Sequence, residues 1–270
     1  MIPNWAAGPL YLRVLLAIGL LCVAGLALWM ASANDSESNK PPVYLMSTLP
    51  LKWGEGDVKD VAQGVSDPAL FYSALVERYL IKDADGLDKI EASPDGMLIM
   101  VQPRLLAPSE NVALDKWVRG GGRLVLFADP ALQWESRFPL GDSRRPLFTS
   151  LLSPLLDHWG VQLALPVKDD AKPSEIDGSR IETLSRGFWL QHPHVERVPD
   201  CHTDRSALIA ECRIGKGRVL LLADVDLLQD RYWTNNMLGG SDNRDWVLDL
   251  IDRMAKRRGI DGILWENLGG

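Results

Sequence analysis

Three aspartates stand where the chain leaves long apolar runs. Asp129 follows Arg123 to Ala128 (RLVLFA), and Asp224 and Asp226 follow Arg218 to Ala223 (RVLLLA). Carboxylates at such places have two uses. If they converge, they hold a hard cation through oxygen ligands and support a metal-assisted hydrolase. If each stays with its own turn, it accepts hydrogen bonds from backbone N–H groups. The sequence favours the second use, and the arrangement of the three carboxylates separates the two.

The remaining polar candidates fall at equivalent places. Gln102-Pro103-Arg104 follows the apolar run Gly96 to Val101, and the loop Leu49 to Asp57 carries Trp53 and Glu55. In open α/β sheets ligands bind outside the carboxyl ends of the strands. The ligand-binding set is therefore Trp53, Glu55, Gln102, Arg104, Asp129, Asp224 and Asp226. Trp53 either covers a pocket or packs, and the spacing leaves both open. Gly54-Glu55-Gly56 begins a dinucleotide fingerprint but has Lys59 in place of its third glycine. Gly215-Lys216-Gly217 is no phosphate loop, because Ala210 and Gly217 occupy positions that need Gly and Ser or Thr. It reads as a hairpin turn.

Nucleophilic chemistry lacks its residues. No G-x-S-x-G occurs, and Ala128-Asp129-Pro130 stands where an elbow needs Ser or Cys. His192, His194, Cys201, His202 and Cys212 cluster loosely, but their spacing matches no standard zinc pattern. No catalytic residue, metal or cofactor is expected. Cys201 and Cys212 are a disulfide candidate, with the Cα separation left open by sequence.

The elements that must position these groups alternate. Apolar strands are expected at 43–47, 96–101, 123–128, 161–165 and 218–223, the last paired as a hairpin with 207–214. Helices are expected after an Asp67-Pro68 cap, from Ser109 to Arg119, from Leu147 to Trp159, and after Ser241-Asp242. Unbroken apolar strands between helices mean an α/β fold with a mostly parallel, doubly wound sheet. Residues 166–212 lose periodicity and read as a small irregular β insertion.

The N-terminal region is of another kind. Val14 to Met30 is free of charge, and residues 10–30 have the length and apolarity of one membrane-spanning helix in contact with lipid. Trp5, Tyr11 and Trp29 sit as interfacial anchors, and Arg13 on the leading flank puts the N-terminus in the cytoplasm. Ala31-Ser32-Ala33 is the competing signal of a cleaved leader. Both readings export the rest of the chain. The expected organisation is a transmembrane anchor at 1–31, a polar linker at 32–42, an α/β domain at 43–258 and a tail at 259–270. The expected location is the bacterial inner membrane, single-pass, with the main domain periplasmic. A net charge of −7 excludes a phosphate-tracking nucleic-acid surface.

The chain resembles bacterial domain-of-unknown-function family 4350, which is related to the auxiliary domains of gliding-motility-type ABC transporters. The resemblance rests on Leu49-Pro50-Leu51-x-Trp53-Gly54-Glu55-Gly56, Leu98 to Arg104, Val118 through Asp129-Pro130, Gly215-Lys216-Gly217-Arg218 through Asp226, and Asp242-Asn243. It implies a class I glutamine-amidotransferase-like fold without the amidotransferase cysteine. It also implies a non-catalytic ligand- or partner-binding role as an accessory subunit of an envelope or transport-related complex. The partner is then a membrane-complex protein, and any small-molecule ligand is unknown. Gly259 to Gly270 is too short and polar for the second span that many such auxiliary proteins carry.

Overall fold

The structure, a computed structural model, describes residues 14, 17–23, 40–55, 67–87, 90, 96–165, 174–176, 178–191, 200–234 and 240–256. The chain divides into two compact units, Met1–Pro41 and Pro42–Gly270. In the first, residues 17–23 are helical, and Leu20, Leu21 and Val23 are exposed. Among the described residues no helix is long and apolar enough to cross a membrane. The ends of the expected span, the 31–33 cleavage pattern, most of the linker and the 259–270 tail lie outside the described residues.

The second unit is built on the apolar runs. Strands β1 (Pro42–Ser47), β2 (Leu80–Asp83), β3 (Met97–Val101) and β4 (Arg123–Phe127) precede the short pairs β5 (Val161–Ala164) with β8 (Phe188–Gln191) and β6 (Ser174–Ile176) with β7 (Ser179–Ile181). Then come β9 (Asp200–Thr203), β10 (Ile209–Ile214) and β11 (Gly217–Leu222). The main sheet has seven strands in the order β2-β1-β3-β4-β11-β10-β9. β2, β1, β3, β4 and β11 are parallel, and β10 and β9 continue antiparallel. Every residue of β3 is buried, as expected of a strand covered on both faces.

β10 pairs with β11 as the expected hairpin, while β9, which falls within the 166–212 stretch that the sequence reads as an insertion, extends the main sheet beside it. β10 alternates enough apolar residues inward to extend it, and its Cys212 lies directly opposite Cys201 of β9. The two cysteines are bonded, with Cα atoms 4.0 Å apart. β2 is unannounced in the sequence because it is an edge strand with mostly exposed side chains.

Helices α1 (Leu70–Arg78), α2 (Pro108–Gly120), α3 (Ser153–His158) and α4 (Asn243–Ala255) flank the strands. α4 starts where expected, directly after Asp242, but the capping of the helices differs from expectation for identifiable reasons. Asp67 does not cap α1; the Leu70 N–H donates instead to the carboxylate of Asp230, at 2.8 Å. α2 begins at Pro108 rather than at a Ser109 cap, and Glu110 accepts the Ala107 N–H at 2.9 Å. Asp242 precedes α4, but its carboxylate accepts the Arg180 N–H of β7 at 2.7 Å. α3 is far shorter than the expected 147–159. Pro154 stands in the first turn of α3, where it has no N–H to give to a carbonyl one turn upstream, and the backbone upstream is engaged elsewhere. Leu147 O accepts from Gln102, Phe148 O accepts the Leu132 N–H, and the Ser150 N–H donates to Asp129 O.

Asn243, buried at the start of α4, clamps the domain's end to its middle. It donates to Glu182 O at 2.7 Å and Leu227 O at 2.9 Å, and accepts the Glu182 N–H at 2.9 Å. In the core Phe71 of α1 meets Phe127 and Trp233 edge-on, at 5.8 and 5.5 Å between centroids.

Helix α2 lies close against the start of β11. A Cβ on Gly217 would stand 1.9 Å from Val118 O, a backbone atom that no rotamer change moves. Gly217→Ala is therefore expected to lower the unfolding free energy by about 3 kcal/mol. Gly120→Ala, where a Cβ meets nothing within 4 Å, should leave stability unchanged or slightly raised. Urea unfolding of the two variants checks the pair.

Candidate functional site

The strand registers bring the expected residues together. Ser47 pairs with Val101, Val101 with Phe127, and Phe127 with Leu222, so four parallel strands end in one row. Gln102 is the first residue beyond this row on β3. It is fully buried and takes φ of 41°, a left-handed conformation uncommon for a residue with a Cβ. Its surroundings fix it there. The backbone N–H donates to Phe127 O at 2.9 Å and the backbone carbonyl accepts from Thr48 Oγ1 at 2.5 Å. Gln102 Nε2 donates to Asp129 O and Leu147 O at 3.2 and 3.0 Å, and Oε1 accepts the Asp129 N–H at 2.9 Å. Strain of about 1–3 kcal/mol at such a residue persists only where the surroundings over-determine it.

Asp129, Asp224 and Asp226 are also buried here, and each carboxylate accepts from its surroundings. Asp129 takes the N–H groups of Ala131 and Val225 at 2.8 and 3.0 Å. Asp224 takes the Leu227 N–H at 3.0 Å and the Thr183 hydroxyl. Asp226 takes the Gln133 N–H at 3.0 Å and Gln229 Nε2 at 2.6 Å. These are the bonds of the backbone-accepting use. Among the described residues no group of three or more His, Cys, Asp or Glu is placed to hold a metal ion. The metal-assisted hydrolase therefore has no ligand set in these aspartates. Burial pushes the Asp129 carboxyl up to about 7, with the charge of Asp226 adding to it and the backbone donors opposing it. Burial, then the charge of Asp129, raises Asp224 well above the usual range, and burial raises Asp226.

Beside this set lies a cleft of about 490 Å³. The chain passes from β1 to β2 at one side and then to β3 at the other, so the strand order reverses between β1 and β3. Such a switch point is the usual place for a ligand crevice. The cleft is lined by the end of β1 and the residues after it (Leu45 to Trp53), residues 83–85 at the end of β2, and Arg104 beyond β3. Lys52 Nζ pairs with Asp83 at 2.7 Å and sits 4.9 Å from the centre of the Trp53 ring. The bond to Asp83 raises the Lys52 pKa. Trp53 is 56% exposed, so it belongs to the rim of the cleft and not to the core. Arg104 holds Glu110 by two bonds, at 2.8 and 2.6 Å, and donates to Asp85 O at 2.8 Å. Arg104, with the Ala107 N–H, brings the Glu110 carboxyl down to about 2.

Of the expected set, Gln102, Asp129, Asp224 and Asp226 thus form one buried group, and Trp53 and Arg104 line the cleft. Glu55 joins neither. Its Oε2 accepts the Arg137 N–H at 2.6 Å and ties the first loop to the long loop after β4. That loop forms a second, mostly apolar hollow of about 590 Å³ with Leu132, Trp134, Leu140, Leu147 and Phe148. His202 pairs with Asp200 at 2.6 Å, and His192 and His194 lie outside the described residues. Sequence reasoning missed Thr48, Lys52, Asp83 and Thr183. Thr183 carries no local signal, since its partner lies 41 residues away.

The sequence profile of a family described as ABC-type uncharacterized transport system matches residues 40–197. No curated protein matches the chain. Among solved structures, the mmIFT52 N-terminal domain is similar at 11% identity and a TM-score of 0.49, covering 83% of this chain and 100% of that one. A cytoplasmic protein from Salmonella typhimurium is similar at 9% identity and a TM-score of 0.42, covering 79% and 98%. A putative ThuA-like protein from Bacteroides uniformis is similar at 12% identity and a TM-score of 0.38, covering 83% and 95%.

The buried carboxyls give a signed pH dependence. Asp129 binds its proton up to about 7 when folded and only to about 3.9 when unfolded. Its contribution is therefore complete below about pH 4 and is lost as pH rises through about 7. Glu110 acts oppositely: its contribution is present above its unfolded value and lost as pH falls towards about 2. Urea unfolding should show stability falling between about pH 4.5 and 7.5, and Asp129→Asn should flatten that fall. A wild-type profile level across this range contradicts the assignment.

Proposed function

This chain belongs to the family described as ABC-type uncharacterized transport system, and we propose that within such a system it is an accessory, non-catalytic binding subunit. It is anchored in the bacterial inner membrane by residues 10–30, with its α/β domain on the periplasmic side. The finer likeness to family 4350, and to class I glutamine amidotransferases that have lost their cysteine, is part of the same reading.

The observation that carries the binding role is the cleft at the β1/β3 switch point. Its volume of about 490 Å³ falls within the range of small-molecule sites. The strained turn at Gln102 leads the chain to Arg104 on its wall. The acids that chemistry would need are instead acceptors for backbone N–H groups. Export is supported by the charge-free run 14–30 with Arg13 on its leading side. It is supported also by the buried Cys201–Cys212 bond, since disulfides persist in oxidising compartments.

Affinity capture of the intact chain from solubilised membranes tests the reading. The expected eluate contains the membrane-spanning and ATP-hydrolysing subunits of one transporter, with Cys201 and Cys212 resistant to alkylation until reduced. Recovery from the soluble fraction, or from membranes with no transporter subunit, contradicts it.

A further inference from the structure

We propose that the segment from Lys256 onward is a second membrane contact: a basic cluster on anionic lipid headgroups, followed by an apolar stripe in the interface. The inference rests on the reading of residues 10–30 as a membrane anchor.

The first observation is where α4 ends. This helix runs back against the parallel strands. Its first residue, Asn243, donates to Leu227 O beyond the end of β11, and its last turn is fastened to the opposite edge of the sheet, where the parallel strands begin. There Arg123, the first residue of β4, donates to Met254 O at 3.0 Å and to Ala255 O. Asp252 accepts from Arg78 and from the Tyr79 hydroxyl, the two residues just before β2. β2 in turn opens beside Pro42, which pairs with Leu80. The domain's entry at Pro42 and the exit from α4 at Lys256 therefore lie at one edge of the sheet. Residues before Pro42 lead to the anchor, so the chain leaves α4 at the edge that is tethered to the bilayer.

The second observation is what leaves there. Lys256-Arg257-Arg258 is a run of cations in a chain of net charge −7. Cations after a helix commonly serve its last carbonyls, but here Arg123, from β4, already donates to those of Met254 and Ala255. Lys256 is exposed and extended, out of the helix. Residues 257–270 lie outside the described residues. In their sequence Ile260, Ile263, Leu264 and Leu268 recur at the spacing of one helix face. Glu266 falls on the other side, and Trp265 is a residue type of the headgroup level. Too short and polar to span, such a segment has the composition of one that lies in the interface. Lys and Arg are drawn to an anionic headgroup surface within a Debye length of it. A segment already tethered at that surface needs little affinity of its own.

Fluorescence quenching on the intact chain tests this. Cys22→Ser leaves one introduced cysteine as the free thiol, because Cys201 and Cys212 are bonded. An environment-sensitive fluorophore is attached at Leu264→Cys, at Glu266→Cys, or at Val112→Cys, an exposed position near the start of α2. The chain is reconstituted in vesicles of phosphatidylcholine, alone or in equal parts with phosphatidylglycerol, with a quencher on the upper acyl chain. Quenching at Leu264 should be about threefold stronger in the anionic vesicles. It should exceed that at Glu266 and be absent at Val112. Replacing Lys256, Arg257 and Arg258 together by Gln should return Leu264 to its level in phosphatidylcholine, with the melting temperature unchanged. An unquenched Leu264 probe, equal quenching at Glu266 or Val112, or indifference to lipid charge or to the neutralised cluster overturns the proposal. So does a blue shift without quenching, which would place the segment against its own domain. If the chain still resists carbonate extraction from the vesicles in those cases, only this second contact fails; if it is extracted, the anchor falls and the proposal with it.

Discussion

Parallel strands that end in one row leave a problem that the rest of this molecule is arranged to solve. Beyond Val101, Phe127 and Leu222 the chain must turn while still buried, and buried backbone N–H groups need acceptors. Gln102, Asp129, Asp224 and Asp226 meet that need. They hold Ala131, Gln133, Val225 and Leu227 in fixed positions, and through Gln102 they also hold Leu147. The cost is borne by the carboxyls themselves. Burial raises all three, and Asp129 and Asp224 repel one another when both are charged. Protonation of one of the two relieves that repulsion.

This buried set also shapes the neighbouring cleft. Gln102 turns the chain out of β3 with its carbonyl fixed by Thr48, a residue of the cleft wall. Two residues later Arg104 reaches Glu110 and the 83–85 segment. The floor of one feature is therefore the anchor of the other.

Legibility in the sequence divides along physical lines. β1, β3, β4 and β11 are legible because a strand buried on both faces must be continuously apolar. The places of Asp129, Asp224 and Asp226 are legible for the same reason, since each comes just after the end of such a run. β2 and β9 are not, because edge strands carry polar residues that look like loop. Helix caps are read wrongly where a distant side chain supplies the acceptor. Asp230 caps α1 across 160 residues, and Asp242 serves β7 instead of its own helix. The cleft's ion pairs are hidden likewise. Lys52 and Asp83 are 31 residues apart, and only the parallel pairing of β1 with β2 brings their segments together.

The most direct test of the buried carboxyl set is amide hydrogen exchange at Ala131, Gln133 and Val225. All three lie outside any strand or α-helix, and each donates to one of the buried aspartates. The expected protection is close to that of the central strands, since opening these amides means opening the carboxyl set beneath the sheet's edge. Exchange as fast as that of ordinary surface loops would show that the aspartates do not hold the turns, and the reading of this site as a rigid binding platform would fail with them.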